Sequence, residues 1–181
     1  MQIYKTLSCY KRIIAMNYEV STDKTKSTNK EKIKILYIDD EENNLVAFKA
    51  TFRRIYHVAT AISAKEGKLL LECEQFHIVI SDQRMPDQTG VEFFEEIRFK
   101  YPEPIRILLT GFADVEAVIA AINRGEVYRY INKPWSQEDL QIIISQAFEI
   151  FALREENKKL TADLYKANEQ LEFLLRQKLL S

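Results

Sequence analysis

The chain has 181 residues, 46% of them hydrophobic, and a formal net charge of −1. That is enough apolar material for one core plus an appendage and too much for a disordered chain. The charge is too balanced to point to nucleic acid or to an anionic membrane surface. No segment approaches the roughly 20 apolar residues needed to span a bilayer. Lys5, Lys11 and Arg12 precede no apolar signal core, so a cytoplasmic location is expected. Cys9 and Cys73 match no metal spacing and read as free thiols of a reducing compartment.

Residues 1–32 end in the polar stretch NYEVSTDKTKSTNKEK and read as a flexible leader. From Ile33 the pattern changes. Apolar runs rich in β-branched residues begin at Ile33 (IKILYI), His57 (HVATA), His77 (HIVIS), Ile105 (IRILL) and Val127 (VYRYI). Between them the periodicity is helical. Leu45, Phe48 and Phe52 share one face, as do Phe93, Phe94 and Ile97. Ala117, Ala120 and Ala121 form a small-residue face next to Ile122. Strands alternating with helices predict βαβ units and a parallel sheet, and near-continuous apolar runs suit strands buried on both faces. Residues 33–150 accommodate five such strands and five helices. His57 and His77 lack acidic or cysteine companions and read as structural.

The last helix is predicted to start at Ser136, a capping residue with Asp139 three positions on. Trp135 and Leu140 stand where a hydrophobic staple forms. No Pro or Gly follows Pro134, so the helix is expected to run to nearly residue 178. Along it Ile143, Ile150, Leu153, Leu160, Leu164, Ala167, Leu171 and Leu174 follow alternating three- and four-residue steps, with Asn157 on the same seam. This heptad pattern predicts a coiled coil over 151–181. An Asn at an a position favours a parallel, in-register pair, so Ile150, Leu153, Asn157, Leu160, Leu164, Leu171 and Leu174 are the expected dimerisation residues. Glu149 and Arg154 would stand at g and e. The plainer alternative is an amphipathic helix packed on its own domain.

Polar residues cluster where the strands end: Asp39-Asp40-Glu41 after the first, Asp82 after the third, Thr110-Gly111 after the fourth, and Asn132-Lys133-Pro134 after the fifth. In a parallel sheet these share the carboxyl edge, where open α/β sheets bind ligands. Converging carboxylates repel one another unless a cation offsets them, and hard oxygen donors suit Mg²⁺. Carboxylates, a lysine and a hydroxyl together suit phosphoryl chemistry, with a carboxylate as nucleophile.

The motifs ILYIDDE from Ile35, SDQRMPDQTG from Ser81, LLTG from Leu108 and INKPW from Ile131 resemble, in order and spacing, the receiver domain of two-component response regulators. The resemblance covers 33–150. It implies a flavodoxin-like, doubly wound α/β fold with strand order 2-1-3-4-5, here with an extended C-terminal helix. It also implies Asp82 as phosphoacceptor. Asp39, Asp40, Asp82 and the Arg84 backbone carbonyl would hold Mg²⁺. Thr110 and Lys133 would contact the phosphoryl group, and Thr110 and Tyr130 would be the switch pair. Met85, Pro86 and Gly90 would shape the loop after the acceptor. The implied partner is a sensor histidine kinase or phosphotransfer protein, and the chain would be a signalling domain, not an enzyme. Arg84 and Phe112 flank the site where bulk and charge slow hydrolysis of the acyl phosphate, so a long-lived phosphate is expected.

For output, three readings compete: dimerisation or partner binding by this chain; regulation of a catalytic domain in a longer protein, as in receivers joined to kinase, cyclase, phosphatase or phosphodiesterase domains; and direct DNA binding. The last is disfavoured because the residues after the core cannot hold a helix-turn-helix domain and the charge is not basic. A phosphate-independent scaffold is the further alternative. A phosphatase with an aspartyl nucleophile is set aside because its DxD-type motif would follow the first strand, which here ends in DDE.

Overall fold

A computed structural model of the protein describes residues 32–111, 119 and 127–179. The apolar runs form β1 (Lys34–Ile38), β2 (His57–Ala61), β3 (Ile78–Asp82), β4 (Ile105–Thr110) and β5 (Arg129–Asn132). All pairings are parallel, in the order β2-β1-β3-β4-β5, the order the resemblance implied. The described helices are α1 (Glu42–Phe52), α2 (Ala64–Cys73), α3 (Gly90–Ile97) and α4 (Gln137–Leu179). The leader up to residue 31 lies outside the described residues. So do Phe112 and the expected helix with Ala117, Ala120, Ala121 and Ile122.

Strand alternation divides the core in two. On one face Ile35, Tyr37, Ile78, Ile80, Ile107 and Leu109 pack with Phe48 and Phe52 of α1 and with Leu140, Ile144 and Ala147 of α4. On the other, Leu36, Ile38, Val79 and Leu108 pack with Leu71 of α2 and Phe93, Phe94 and Ile97 of α3. A strand covered on both sides has no polar face to alternate, which is why these runs read as continuously apolar. The expected helix faces of α1 and α3 are the buried ones. His77 has a structural place: its Nδ1 accepts from the Lys34 N–H at 2.9 Å, and its ring meets Phe148 and Phe151 of α4.

The starts of α2, α3 and α4 are fixed by side chains, whereas the N-cap of α1, Glu41, makes no side-chain cap. Ser63 caps α2 by accepting from the Glu66 N–H. Thr89 and Glu92 form a reciprocal capping box on α3. On α4 the Ser136 hydroxyl accepts from the Asp139 N–H at 3.0 Å, and Trp135 packs against the cluster that includes Leu140, meeting the rings of Phe48 and Phe52. The Lys133–Pro134 peptide just before it is cis.

α4 is 43 residues long, and its packing changes along its length. Leu140, Ile144 and Ala147 are fully buried, and Ile143, Ile150 and Phe151 are partly covered by the same domain. Beyond them Leu153, Leu160, Leu164, Leu171 and Leu174 are 57–63% exposed. No described helix is long and apolar enough to cross a membrane. One expectation is corrected: Cys73 is disulfide-bonded, not a free thiol. Separation along the chain carries no information about which sulfurs meet in space. Cys9 lies outside the described residues.

Gly90 opens α3 where a side chain has no room: a Cβ would stand 2.3 Å from the Asp82 carbonyl oxygen and 2.6 Å from Leu108 Cδ1. Among the described residues nothing lies within 4 Å of the same position at Gly111. Gly90→Ala is therefore expected to lose about 1–3 kcal/mol in urea unfolding. Gly111→Ala should stay within about 0.5 kcal/mol of the parent.

Candidate functional site

The sheet order reverses at β1, which is flanked by β2 and β3, and the carboxyl ends of β1, β3, β4 and β5 meet beside that point. The ladder holds them in step. Asp82 faces Leu109 and Thr110 faces Asn132, while the Gln83 N–H donates to the Leu109 carbonyl and the Lys133 N–H to that of Thr110, both at 2.8 Å.

Lys133 joins the two halves of the site. Its Nζ lies 2.6 Å from Asp82 Oδ1 and 2.9 Å from Asp39 Oδ2. Asp82 Oδ2 accepts from the Arg84 N–H at 2.8 Å. Asp39 is only 1% exposed and is held from every side. Oδ2 accepts from the Tyr37 hydroxyl at 2.6 Å, Oδ1 from the Glu41 N–H at 3.0 Å, and Asn44 Nδ2 reaches both oxygens. These last donors lie at the start of α1, whose dipole favours an anion there. Asp40 is half-buried and lines an open cleft of ≈ 230 Å³ with Ile62, Ser63, Met85 and Pro86.

Residues 35–145 match the family model of the response regulator receiver domain. The chain belongs to that family. Among its relatives, the hydrogenase transcriptional regulatory protein HoxA of Cupriavidus necator is 36% identical over 147 residues, covering 81% of this chain and 30% of that protein. The regulatory protein AtoC of Escherichia coli is 28% identical over 136 residues, 70% of this chain and 28% of AtoC. The chain thus spans less than a third of the length of these curated relatives. Among solved structures, a response regulator receiver domain protein from Clostridium thermocellum shares 34% identity and a TM-score of 0.63, covering 67% of this chain and 98% of that one. The signal receiver domain of an HD domain-containing protein from Pseudomonas fluorescens shares 31% identity at a TM-score of 0.65, covering 75% and 98%.

Within this receiver Asp39, Asp40, Asp82, Thr110 and Lys133 fall at the carboxyl edge, and Tyr130 lies lower on β5, opposite Leu108. Thr110 is fully buried, its hydroxyl donating to the Gly111 carbonyl at 3.0 Å. Tyr130 is partly buried against the α2/α3 core. Arg84 is exposed. Three neighbours went unread in the sequence. Tyr37 and Asn44 brace Asp39. Gln83, 5% exposed, accepts the Val91 N–H at 3.2 Å and so ties the loop after Asp82 to α3. Tyr37 could have been found, because strand period places it on the same face as Asp39. Nothing in the sequence singles out Asn44 or Gln83.

Among the described residues no three His, Cys, Asp or Glu side chains form a ready-made metal cage. The donor chemistry nevertheless fits a hard divalent cation. Asp39, Asp40 and Asp82 set three negative charges against the single positive charge of Lys133, leaving two, and every donor is an oxygen. The two buried carboxyls are tuned apart. Burial pushes Asp82 above the usual carboxylate range, against the pull of Lys133 and the Arg84 N–H, with the Asp39 charge adding to the rise. Burial would raise Asp39 too, but hydrogen bonds from Tyr37, Lys133, Asn44 and the Glu41 N–H together hold it low. Burial opposes the charge on Lys133, and the two carboxylates more than restore it, so its pKa is raised.

The signs follow by linkage. Asp39, held low, contributes stability present above the ordinary carboxylate range and lost as pH falls through its lowered pKa. Asp82, held high, contributes stability present below that range and lost as pH rises through its raised pKa. Lys133→Met leaves both carboxylates without their ammonium. A fully buried pair broken this way costs about 3–5 kcal/mol. With the Lys133 side chain 29% exposed, a loss of about 1–3 kcal/mol at pH 7 is expected after allowing for solvent screening. Urea unfolding at pH 7 and pH 5 should show the deficit shrinking on acidification, as the two carboxyls take up protons in the variant.

Proposed function

We propose that this chain is a phosphoryl-accepting switch in which Asp82 takes a phosphoryl group from a phosphohistidine of a sensor kinase or phosphotransfer protein. The observation that carries the reading is Lys133 Nζ set between Asp82 and Asp39 at the carboxyl edge of a receiver sheet. Asp39, Asp40, Asp82 and the Arg84 carbonyl would hold Mg²⁺, with solvent and phosphoryl oxygens completing the shell. Bound there, the ion would offset charge on the phosphoryl oxygens during transfer. An Asp82 carboxylate oxygen forms the new P–O bond as the donor's P–N bond breaks and its electron pair leaves with the imidazole nitrogen. Lys133 pairs with a phosphoryl oxygen, and the Arg84 N–H holds the second Asp82 oxygen in place. Thr110 gives up the Gly111 carbonyl and donates to the phosphoryl group, and Tyr130 follows inward. These shifts bias β5 and the start of α4.

Intact mass after incubation with Mg²⁺ and acetyl phosphate tests the chemistry. The native chain should gain one phosphoryl group and Asp82→Ala none. Uptake by Asp82→Ala would overturn the assignment. The phosphate is expected to persist for minutes or longer, because the resemblance aligns Arg84 and Phe112 with positions whose charge and bulk slow hydrolysis; a half-life of seconds would contradict this.

A second reading concerns output. The leucines of α4 from Leu153 to Leu174 remain exposed along a surface-facing seam. An exposed apolar stripe of that length favours a partner helix. A parallel homodimer would bury it, with Ile150, Leu153, Asn157, Leu160, Leu164, Leu171 and Leu174 at the seam and Asn157 fixing register. In the single chain Asn157 Nδ2 donates along its own helix to the Leu153 carbonyl at 3.0 Å. Light scattering should find a dimer, reduced to monomer by Leu160→Glu with Leu164→Glu. A native chain that stays monomeric both with and without phosphorylation would remove this reading. On this view, residues 1–32 are leader, 33–150 receiver and 151–181 the pairing helix.

A further inference from the structure

Tyr37 lies in the interior strand β1, two residues before Asp39 at its carboxyl end, so both side chains project from one face of the sheet. The residue is 1% exposed and its ring stacks on Phe48 at 4.2 Å between centroids. A phenylalanine would fill that apolar layer equally well. A buried hydroxyl is costly unless it is bonded, and the partner of this one is the Asp39 carboxylate at 2.6 Å.

The other side-chain donors to Asp39 are less constrained. Asn44 is half-buried, and the Lys133 side chain is 29% exposed at the end of a flexible stem. Tyr37 is clamped at both ends, by ladder pairing to β2 and β3 and by Phe48. It is therefore the donor that can set the plane of the Asp39 carboxylate. Oδ2 accepts from the Tyr37 hydroxyl at 2.6 Å, from Lys133 at 2.9 Å and from Asn44 at the longer distance of 3.2 Å. Removing the hydroxyl leaves that oxygen to the ammonium and the longer Asn44 contact, which draws the carboxylate toward Lys133, away from a cation competing for the same charge.

We propose that Tyr37 is a positioning residue of the acidic site, whose hydroxyl holds Asp39 in the orientation that favours divalent-cation binding. The inference rests on the reading of this edge as a cation-dependent phosphoryl acceptor. Outer-shell partners of this kind are worth roughly 10–100-fold in metal affinity.

The test uses the full chain, with Mn²⁺ binding followed by the loss of the free-ion paramagnetic signal and Mg²⁺ by competition. Tyr37→Phe keeps the ring and its stacking, and urea unfolding checks that it folds. It should bind Mn²⁺ about ten-fold more weakly. Its phosphorylation by acetyl phosphate should need correspondingly more Mg²⁺ while approaching the native rate at saturation. A purely structural tyrosine would lower stability and leave the affinity where it was, which would overturn the proposal, as would tighter binding. Asp40→Ala separates the two levels of argument. If the native chain takes up no Mn²⁺, or Asp40→Ala binds as tightly as native, the cation-site reading fails and this inference with it. If native binds, Asp40→Ala does not and Tyr37→Phe equals native, only the role of Tyr37 fails.

Discussion

The constraint on which the site depends is one ammonium shared by two buried carboxylates. Asp39 and Asp82 lie at the ends of neighbouring strands, and ionised in that low-dielectric edge they would repel each other. Lys133, arriving from β5 on the far side of β4, touches both. Its position makes the parallel order β1-β3-β4-β5 energetically consistent with the placement of charge. A register slip in any of these strands would leave a buried carboxylate without its partner as well as turning apolar side chains out of the core.

The remaining features of the edge act to keep that geometry from drifting. The start of α1 supplies amide and Asn44 donors to Asp39. The loop after Asp82 is tied down by Gln83 on one side and by the Arg84 N–H on the other. The backbone of α3 approaches Asp82 so closely that only a glycine fits at position 90. Each contact is modest alone. Together they leave the two carboxyls in different electrostatic environments: Asp39 saturated with donors and held low, Asp82 with fewer donors and raised. On the reading proposed above, Asp39 would remain a fixed anion while Asp82 meets the incoming phosphoryl group.

The strands, their order and the Asp39–Asp82–Lys133 edge were legible because each rests on a local signal. Five apolar runs end in polar residues, and the resemblance carried by ILYIDDE, SDQRMPDQTG, LLTG and INKPW supplied the order. The buried faces of α1 and α3 were legible for the same reason, through helical period. What escaped were relations across space. Asn44 and Gln83 are ordinary polar residues whose roles exist only once α1 and α3 are docked. Tyr37 reads as one more apolar strand residue until its hydroxyl is seen against Asp39. The bonded state of Cys73 is a matter of tertiary proximity, to which spacing along the chain is blind.

The same short segment that carries Lys133 also starts the long helix. Lys133, Pro134, Trp135 and Ser136 are consecutive: the first contacts both carboxylates, the third packs on Phe48 at 6.0 Å between ring centroids, and the fourth caps α4. Phe48 in turn stacks on Tyr37, which bonds Asp39. The helix start therefore connects to the acidic edge twice, once through the backbone and once through a packed aromatic layer. A close-packed layer resists gradual deformation and favours discrete rearrangement. On the switch reading proposed above, a change in how Lys133 divides itself between Asp39 and Asp82 would bear on the first turn of α4, and a helix of 43 residues would carry a small rotation at its start far beyond the domain.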